Sequence, residues 1–130
     1  MAADGVHAAG NGCPAAQVAM AAIETAQDGE VVVPMLPSCK VSELALAVDE
    51  RADWDVTGMR PGEKLHEEMI PEAELEFTRK DATARLYYVG KGGDGALKAP
   101  YASDTNKEKL RAHELRRLIK DVEKEGLLGL

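Results

Sequence analysis

The order of hydrophobic periods near the start of the chain constrains the fold most. Over Pro14 to Gln27, "PAAQVAMAAIETAQ", the residues Ala15, Val18, Ala19, Ala22, Ile23 and Ala26 fall on one helical face. Pro14 suits a first helical turn, where its missing N–H is no loss, and Gly29 suits the stop. The period then changes within a few residues. Glu30 to Pro34, "EVVVP", is a β-branched run closed by proline and predicts a buried strand. The alternation repeats. Ser42 is placed to cap a helix from Glu43 to about Glu50 with Leu44, Ala45 and Val48 facing inward. Trp54 to Thr57 then alternates as a short strand. Helix, strand, helix, strand predicts α/β organisation.

Further along, Glu63 to Met69 predicts a short helix, with Leu65 and Met69 spaced by four, and Arg85 to Val89, "RLYYV", predicts another strand. Gly90 to Gly95 predicts a flexible loop. The last helix, about Lys107 to Glu125, carries an apolar stripe of Leu115, Leu118, Ile119 and Val122. Thr105 or Asn106 is placed to cap it. Met1 to Asn11, "MAADGVHAAGN", has no period. The predicted organisation is a flexible segment over 1–13, a domain over 14–125 and a tail over 126–130. A chain of 130 residues suffices for one domain with one core. Its residues are 45% hydrophobic but only 4% aromatic, so that core is built from small pieces, alanine above all.

Charge and cysteine content exclude some function classes. A net charge of −7 argues against general nucleic-acid or anionic-membrane binding, which needs a basic surface. It leaves room for a small anion, because one or two local arginines overrule a distant net charge. No apolar stretch approaches the ~20 residues of a membrane span. Cys13 and Cys39 form no CxxC or Cys/His cluster, which argues against a structural zinc site. With no secretory signal, reduced thiols in a cytoplasm are expected.

Several motifs lack the context their chemistry needs. Gly10 to Ala15, "GNGCPA", matches GxGxxA, but the dinucleotide fingerprint needs a buried strand before it, and "DGVHAA" is a poor one. Pro14 also removes an N–H donor, so the segment reads as a loop and a helix start. Tyr87 and Lys91 have the YxxxK spacing of a dehydrogenase catalytic pair. That pair works on a helix, where four residues rise about 6 Å and share a face. On the expected strand the two stand roughly 13 Å apart. "GKGGDG", Gly90 to Gly95, lacks the Lys-Ser/Thr ending of a phosphate loop. His66 beside Glu67 and Glu68 has no second histidine nearby and reads as a surface residue.

The stretch "TGMRPGEKLHEEMI", Thr57 to Ile70, is different. Pro61 fixes its own φ and pushes Arg60 towards an extended conformation, and Gly62 lets the backbone turn sharply. Arg60 is thereby expected at a strand end, before a helix, where α/β proteins bind ligands. A guanidinium holds two phosphate oxygens at once. Glu63 would open the helix, where an acid is favoured, and can accept from vicinal sugar hydroxyls. Together they would read a nucleotide diphosphate. The other reading is that Arg60 pairs with Glu63 or Glu67 and fastens a turn.

"EVVVPMLPSCKVSELALAV", "GMRPGEKLHEEMI" and "YASDTNKEKLRAHELRRLI", in that order, resemble the C-terminal part of the UDP-N-acetylglucosamine 4,6-dehydratases. These are extended short-chain dehydrogenase/reductase enzymes of polysaccharide and nucleotide-sugar biosynthesis. The resemblance runs from about Ala15 to about Glu123. It implies an α/β fold: a small substrate-binding portion, a few short strands packed with helices and no complete Rossmann domain. It implies that Arg60 contacts the pyrophosphate of a UDP-sugar and that Glu63 contacts the uridine ribose. "PSCKV", Pro37 to Val41, would lead into a helix supporting the site, with Cys39 where the family usually has methionine. The family's NAD(P) loop and catalytic residues have no credible counterpart here. The chain is therefore expected to bind no cofactor alone and to be inactive alone, as a fragment of a lyase. A separate Rossmann half, or a homo-oligomer through the full-length protein, would be its partner. The alternatives are a non-catalytic interaction module, using the apolar face of the Pro14–Gln27 helix, and a half-protein that complements a separate Rossmann half.

Overall fold

A computed structural model of the chain describes residues 14–51 and 53–124; of Pro14 only the backbone is described. The flexible segment expected over 1–13, most of the GxGxxA match, Glu125 and the tail over 126–130 lie outside the described residues. The described residues fall into two compact units. One comprises residues 14–36 with 68–105, the other residues 37–67 with 106–124.

In the first unit, helix α1 (Pro14–Thr25) leads through a turn at Gly29 (φ +77°) into β1 (Val31–Pro34). β3 (Glu68–Ile70) is followed by a 3₁₀ segment (Glu72–Phe77), then by β4 (Thr78–Asp81) and β5 (Leu86–Val89). β5 lies between β1 and β4 and is antiparallel to both. That central position explains why "LYYV" is apolar on both faces: Leu86, Tyr87 and Tyr88 are all buried. Tyr87 packs with Val33 and Ile70, joined by Met35, Leu75, Val89, Leu97 and Tyr101. Tyr88 bonds towards α1, its hydroxyl 2.5 Å from Thr25 Oγ1. β6 (Tyr101–Ala102) pairs with β3 across an irregular register, and the Tyr101 hydroxyl both donates to the Leu36 carbonyl and accepts its N–H, each at 2.8 Å.

In the second unit, β2 (Ser38–Cys39) runs parallel to β7 (Lys109–Leu110). Each strand delivers the chain into a helix: α2 (Val41–Val48) after β2, and α3 (Ala112–Lys124) after β7. The two helices pack on each other with Ala47 and Leu115 buried. Arg116 fastens the end of α2, donating to the carbonyls of Leu46 (2.8 Å) and Ala47 (3.3 Å) and pairing with Glu50. The α/β expectation of a few short strands packed with helices holds.

Several local expectations do not. Trp54 to Thr57 forms no strand and Glu63 to Met69 no helix; residues 53–67 have neither. The Leu65–Met69 spacing offers one helical repeat, which is weak support. Pairing with β6 instead lets Ile70 reach the core while the backbone groups of β3 enter a ladder. The last helix begins at Ala112, not Lys107, because Lys109 and Leu110 are taken by β7. Thr105 and Asn106 do not cap it. Thr105 Oγ1 accepts the Ala102 N–H and donates to the Pro100 carbonyl, while Asn106 Oδ1 accepts the Glu108 N–H, so both shape turns. Ser42 sits inside α2; the capping position is Lys40, which makes no side-chain cap bond.

The helix faces are also rotated from expectation. On α1, Ile23 is exposed and the covered side runs through Val18, Ala21 and Ala22. On α2, Leu44 and Val48 are exposed and Ala47 is buried. The expected strand at Glu30 to Pro34 forms, but as an edge with Val31 exposed and Val33 buried. The Gly90 to Gly95 loop lies against the 3₁₀ segment, with Gly90 N–H donating to Phe77 O at 2.9 Å. A Cβ on Gly93 would land on the Phe77 backbone, so only glycine fits.

Candidate functional site

Arg60, Pro61, Gly62 and Glu63 form one tight turn. The Glu63 N–H donates to the Arg60 carbonyl at 3.1 Å, and Gly62 has φ +87°. Proline second and a left-handed glycine third is the sequence of a type II turn. A second bond locks it. The Glu63 side chain folds back, and its Oε2 accepts the Arg60 N–H at 2.8 Å. The two residues predicted as a pair are therefore held side by side. They sit neither at a strand end nor before a helix, since neither element forms.

The turn treats its two charged groups differently. Glu63 is half committed: its Oε2 takes a backbone N–H, and the side chain is 51% exposed. The Arg60 guanidinium stands only at the limit of an ion pair, with Nε 4.0 Å from Glu63 Oε1, and is 84% exposed. Such a contact in water contributes about 0–1 kcal/mol. Glu63 fastens the turn through the backbone of Arg60, and the guanidinium remains on display. A displayed guanidinium on a turn whose backbone is fixed presents a fork of donors to a carboxylate or phosphate. Met59 and Leu65, on either side, are exposed apolar residues.

The other sequence motifs are placed as follows. Tyr87 is buried in β5, its ring centroid 5.1 Å from that of Tyr101, while Lys91 lies exposed in the turn beyond the strand. The two do not form a proton-transfer pair. His66 is exposed, and among the described residues no cluster of three or more His, Cys, Asp or Glu is arranged to hold a metal. Cys39 is exposed with a free thiol. Among the described residues no helix is long and apolar enough to cross a membrane.

A model of the family described as polysaccharide biosynthesis protein matches residues 13–89, more than half of the chain and including the whole Arg60–Glu63 turn. This chain belongs to that family. Two relatives, each named UDP-N-acetylglucosamine 4,6-dehydratase (inverting), come from Campylobacter jejuni subsp. jejuni. The serotype O:2 protein is 28% identical over 117 residues, covering 77% of this chain and 35% of the relative. The serotype O:23/36 protein is 38% identical over 55 residues, covering 42% of this chain and 16% of the relative. The chain thus spans about a third or less of the length of the curated relatives it matches.

Sequence reasoning missed the strongest charge constellation in the first unit. The Glu30 carboxylate is 2% exposed and takes two bonds from Arg79, at 2.7 Å from Nε and 2.6 Å from Nη2, plus the Gln27 N–H at 2.7 Å. The Arg79 guanidinium lies over the Tyr88 ring, 3.7 Å from its centroid. Glu30 and Arg79 stand 49 residues apart, and only the β1–β5–β4 order brings them together. The hydrogen bonds from Arg79 hold the Glu30 carboxyl below its usual range, against the opposing effect of burial. Its bonds run between α1, the β1 end and β4, so the network holds the helix and the sheet together.

Proposed function

We propose that this chain supplies substrate contacts to a UDP-sugar 4,6-dehydratase-type protein of polysaccharide biosynthesis, with Arg60 on the diphosphate and Glu63 on the ribose hydroxyls. The single observation that carries the reading is the displayed guanidinium of Arg60 on a turn that Glu63 locks. The family membership and the names of the relatives support the substrate class. In this reading NAD(P) is the cofactor of the full-length proteins. The Tyr87–Lys91 pair does not fit such a group, because Tyr87 is spent in the core. This chain's part is to hold and orient the nucleotide end of the substrate.

The test is a titration of the chain with UDP-N-acetylglucosamine, followed by amide NMR, with Arg60→Ala in parallel. Charge-assisted bonds contribute about 1.5–3 kcal/mol each, so the variant should bind about tenfold more weakly or worse. Shifts clustered at residues 59–64 and lost in the variant are the expected result. A folded spectrum that ignores the ligand would sink the claim that this chain binds nucleotide sugar unaided.

A second reading, an interaction module, is favoured by the apolar side chains exposed in the second unit, among them Val41, Val48, Val56 and Leu65. It expects no nucleotide-sugar response and no effect of Arg60→Ala.

A further inference from the structure

The turn that displays Arg60 offers charge to a phosphate and an acceptor to a sugar, but no flat surface to a nucleobase. A base presents two π-faces, and proteins that do not read its edges hold it by stacking an aromatic side chain on one of them. This chain has few such rings: one Trp, three Tyr and one Phe. Tyr87 and Tyr88 are buried in β5, and Tyr101 packs its ring on Tyr87 while its hydroxyl is bonded to the Leu36 backbone. Phe77 also belongs to the first unit. Trp54 is thus the single Phe, Tyr or Trp in the sequence of the second unit, the unit that holds Arg60.

Trp is highly buried on average in folded proteins, but Trp54 is 46% exposed. Among the described residues its indole makes no ring contact, cation–π contact or hydrogen bond. It stands six positions before Arg60, at most about 20 Å of extended chain, and Gly58, with φ +83°, bends the backbone between them. Residues 53–59 enter no helix or strand, so no ladder competes with a ligand for this segment. We infer that Trp54 is the stacking platform for the base of a nucleoside diphosphate whose phosphates Arg60 holds. The inference rests on the proposed role of Arg60 and extends it from the diphosphate to the base. It gives the chain a preference for a nucleotide over bare pyrophosphate. Because stacking engages a π-face and not an edge, Trp54 registers that a base is present and not which base it is.

The full chain titrated with UDP and, separately, with inorganic pyrophosphate tests this. Trp54 is the single tryptophan, so indole emission reports on that ring alone, once absorption by the base is corrected against free tryptophan amide. Amide NMR reports in parallel on residues 59–64. UDP should quench the emission with the midpoint at which it shifts those amides. Pyrophosphate should shift the amides and leave the emission unchanged. Trp54→Leu should weaken UDP roughly tenfold and pyrophosphate not at all, with the α3 amides unmoved as evidence of folding, while Trp54→Phe keeps most of the UDP affinity. Amide shifts with UDP but no quenching, or an unchanged UDP midpoint in Trp54→Leu, overturn the platform and leave the Arg60 reading standing. Quenching by pyrophosphate equal to that by UDP overturns it too, since no base is then involved. Silence of both readouts overturns the Arg60 reading and this inference with it.

Discussion

Glu30 is almost fully buried and tied to Arg79, which is 23% exposed. Arg79 in turn stacks on Tyr88, so one charge pair holds a helix, an edge strand and the central strand together. Removing one partner strands the other, and partial exposure of Arg79 reduces the cost; Glu30→Gln should destabilise the chain by about 2 kcal/mol, read as a lower urea midpoint. The pH dependence has a definite sign. The folded carboxyl titrates below the ordinary value of 4.5. Its contribution is therefore complete above that value and is lost as pH falls through the lower folded one. The stability gap between wild type and Glu30→Gln should therefore be full above the ordinary carboxyl value of 4.5 and close progressively as pH falls below it. A gap that persists at the acid end would mean that the variant acts by packing and not by charge. Neither residue announces this role locally. Glu30 precedes a β-branched run and Arg79 sits in "TRKD", and only the strand order makes them neighbours. Arg60 and Glu63 differ because they are three residues apart with Pro-Gly between them, and local chemistry alone fixes their turn.

At the scale of elements, the start of α3 is set from outside the helix. Glu114 reaches back to the Arg111 N–H at 2.8 Å, the acidic half of a capping box. Glu43 of α2 satisfies a further free donor of the first turn by accepting the Ala112 N–H. The cap that sequence spacing assigned to Thr105 or Asn106 comes instead from a residue 69 positions earlier in the chain. Glu43→Ala should cost about 1 kcal/mol and speed amide exchange at Ala112 selectively. Unchanged exchange there would mean that the carboxylate of Glu114 carries the terminus alone. The same limit explains the other element errors. The period of Leu115, Leu118, Ile119 and Val122 fixed the existence of α3, since a 13-residue amphipathic run has few alternatives. Two- and three-residue strands such as β2, β3, β6 and β7 have no period of their own. They form where a partner supplies backbone bonds, and that partner is distant in sequence. Helix faces went astray for a related reason. Alanine-rich α1 offers weak contrast between sides, and α2 turns Ala47, not Leu44, towards α3.

At the scale of the whole molecule, apolar burial is unevenly shared between the two units. Tyr88, Ile70 and Leu86 are fully buried in the first, and Thr78 beside them bonds the Glu74 carbonyl at 2.7 Å. The second buries only Ala47 and Leu115 among its described apolar residues, and leaves Val41, Val48, Val56 and Leu65 largely exposed. Burial of a large side chain stabilises by about 1.5–3 kcal/mol, so each unit's resistance to opening should follow its own core. Hydrogen exchange should be slowest at the amides of β5, intermediate in α3, and fastest across residues 53–67 outside the hydrogen-bonded amides of Arg60 and Glu63, since no ladder or helix protects them. Nucleotide sugar should slow exchange at residues 59–64 with little change in β5, since a ligand protects the states it binds. Equal protection in α3 and β5 without ligand would contradict this account. It would mean that contacts beyond Ala47 and Leu115 hold the second unit, and the exposed apolar side chains nearby would be the first place to look for them.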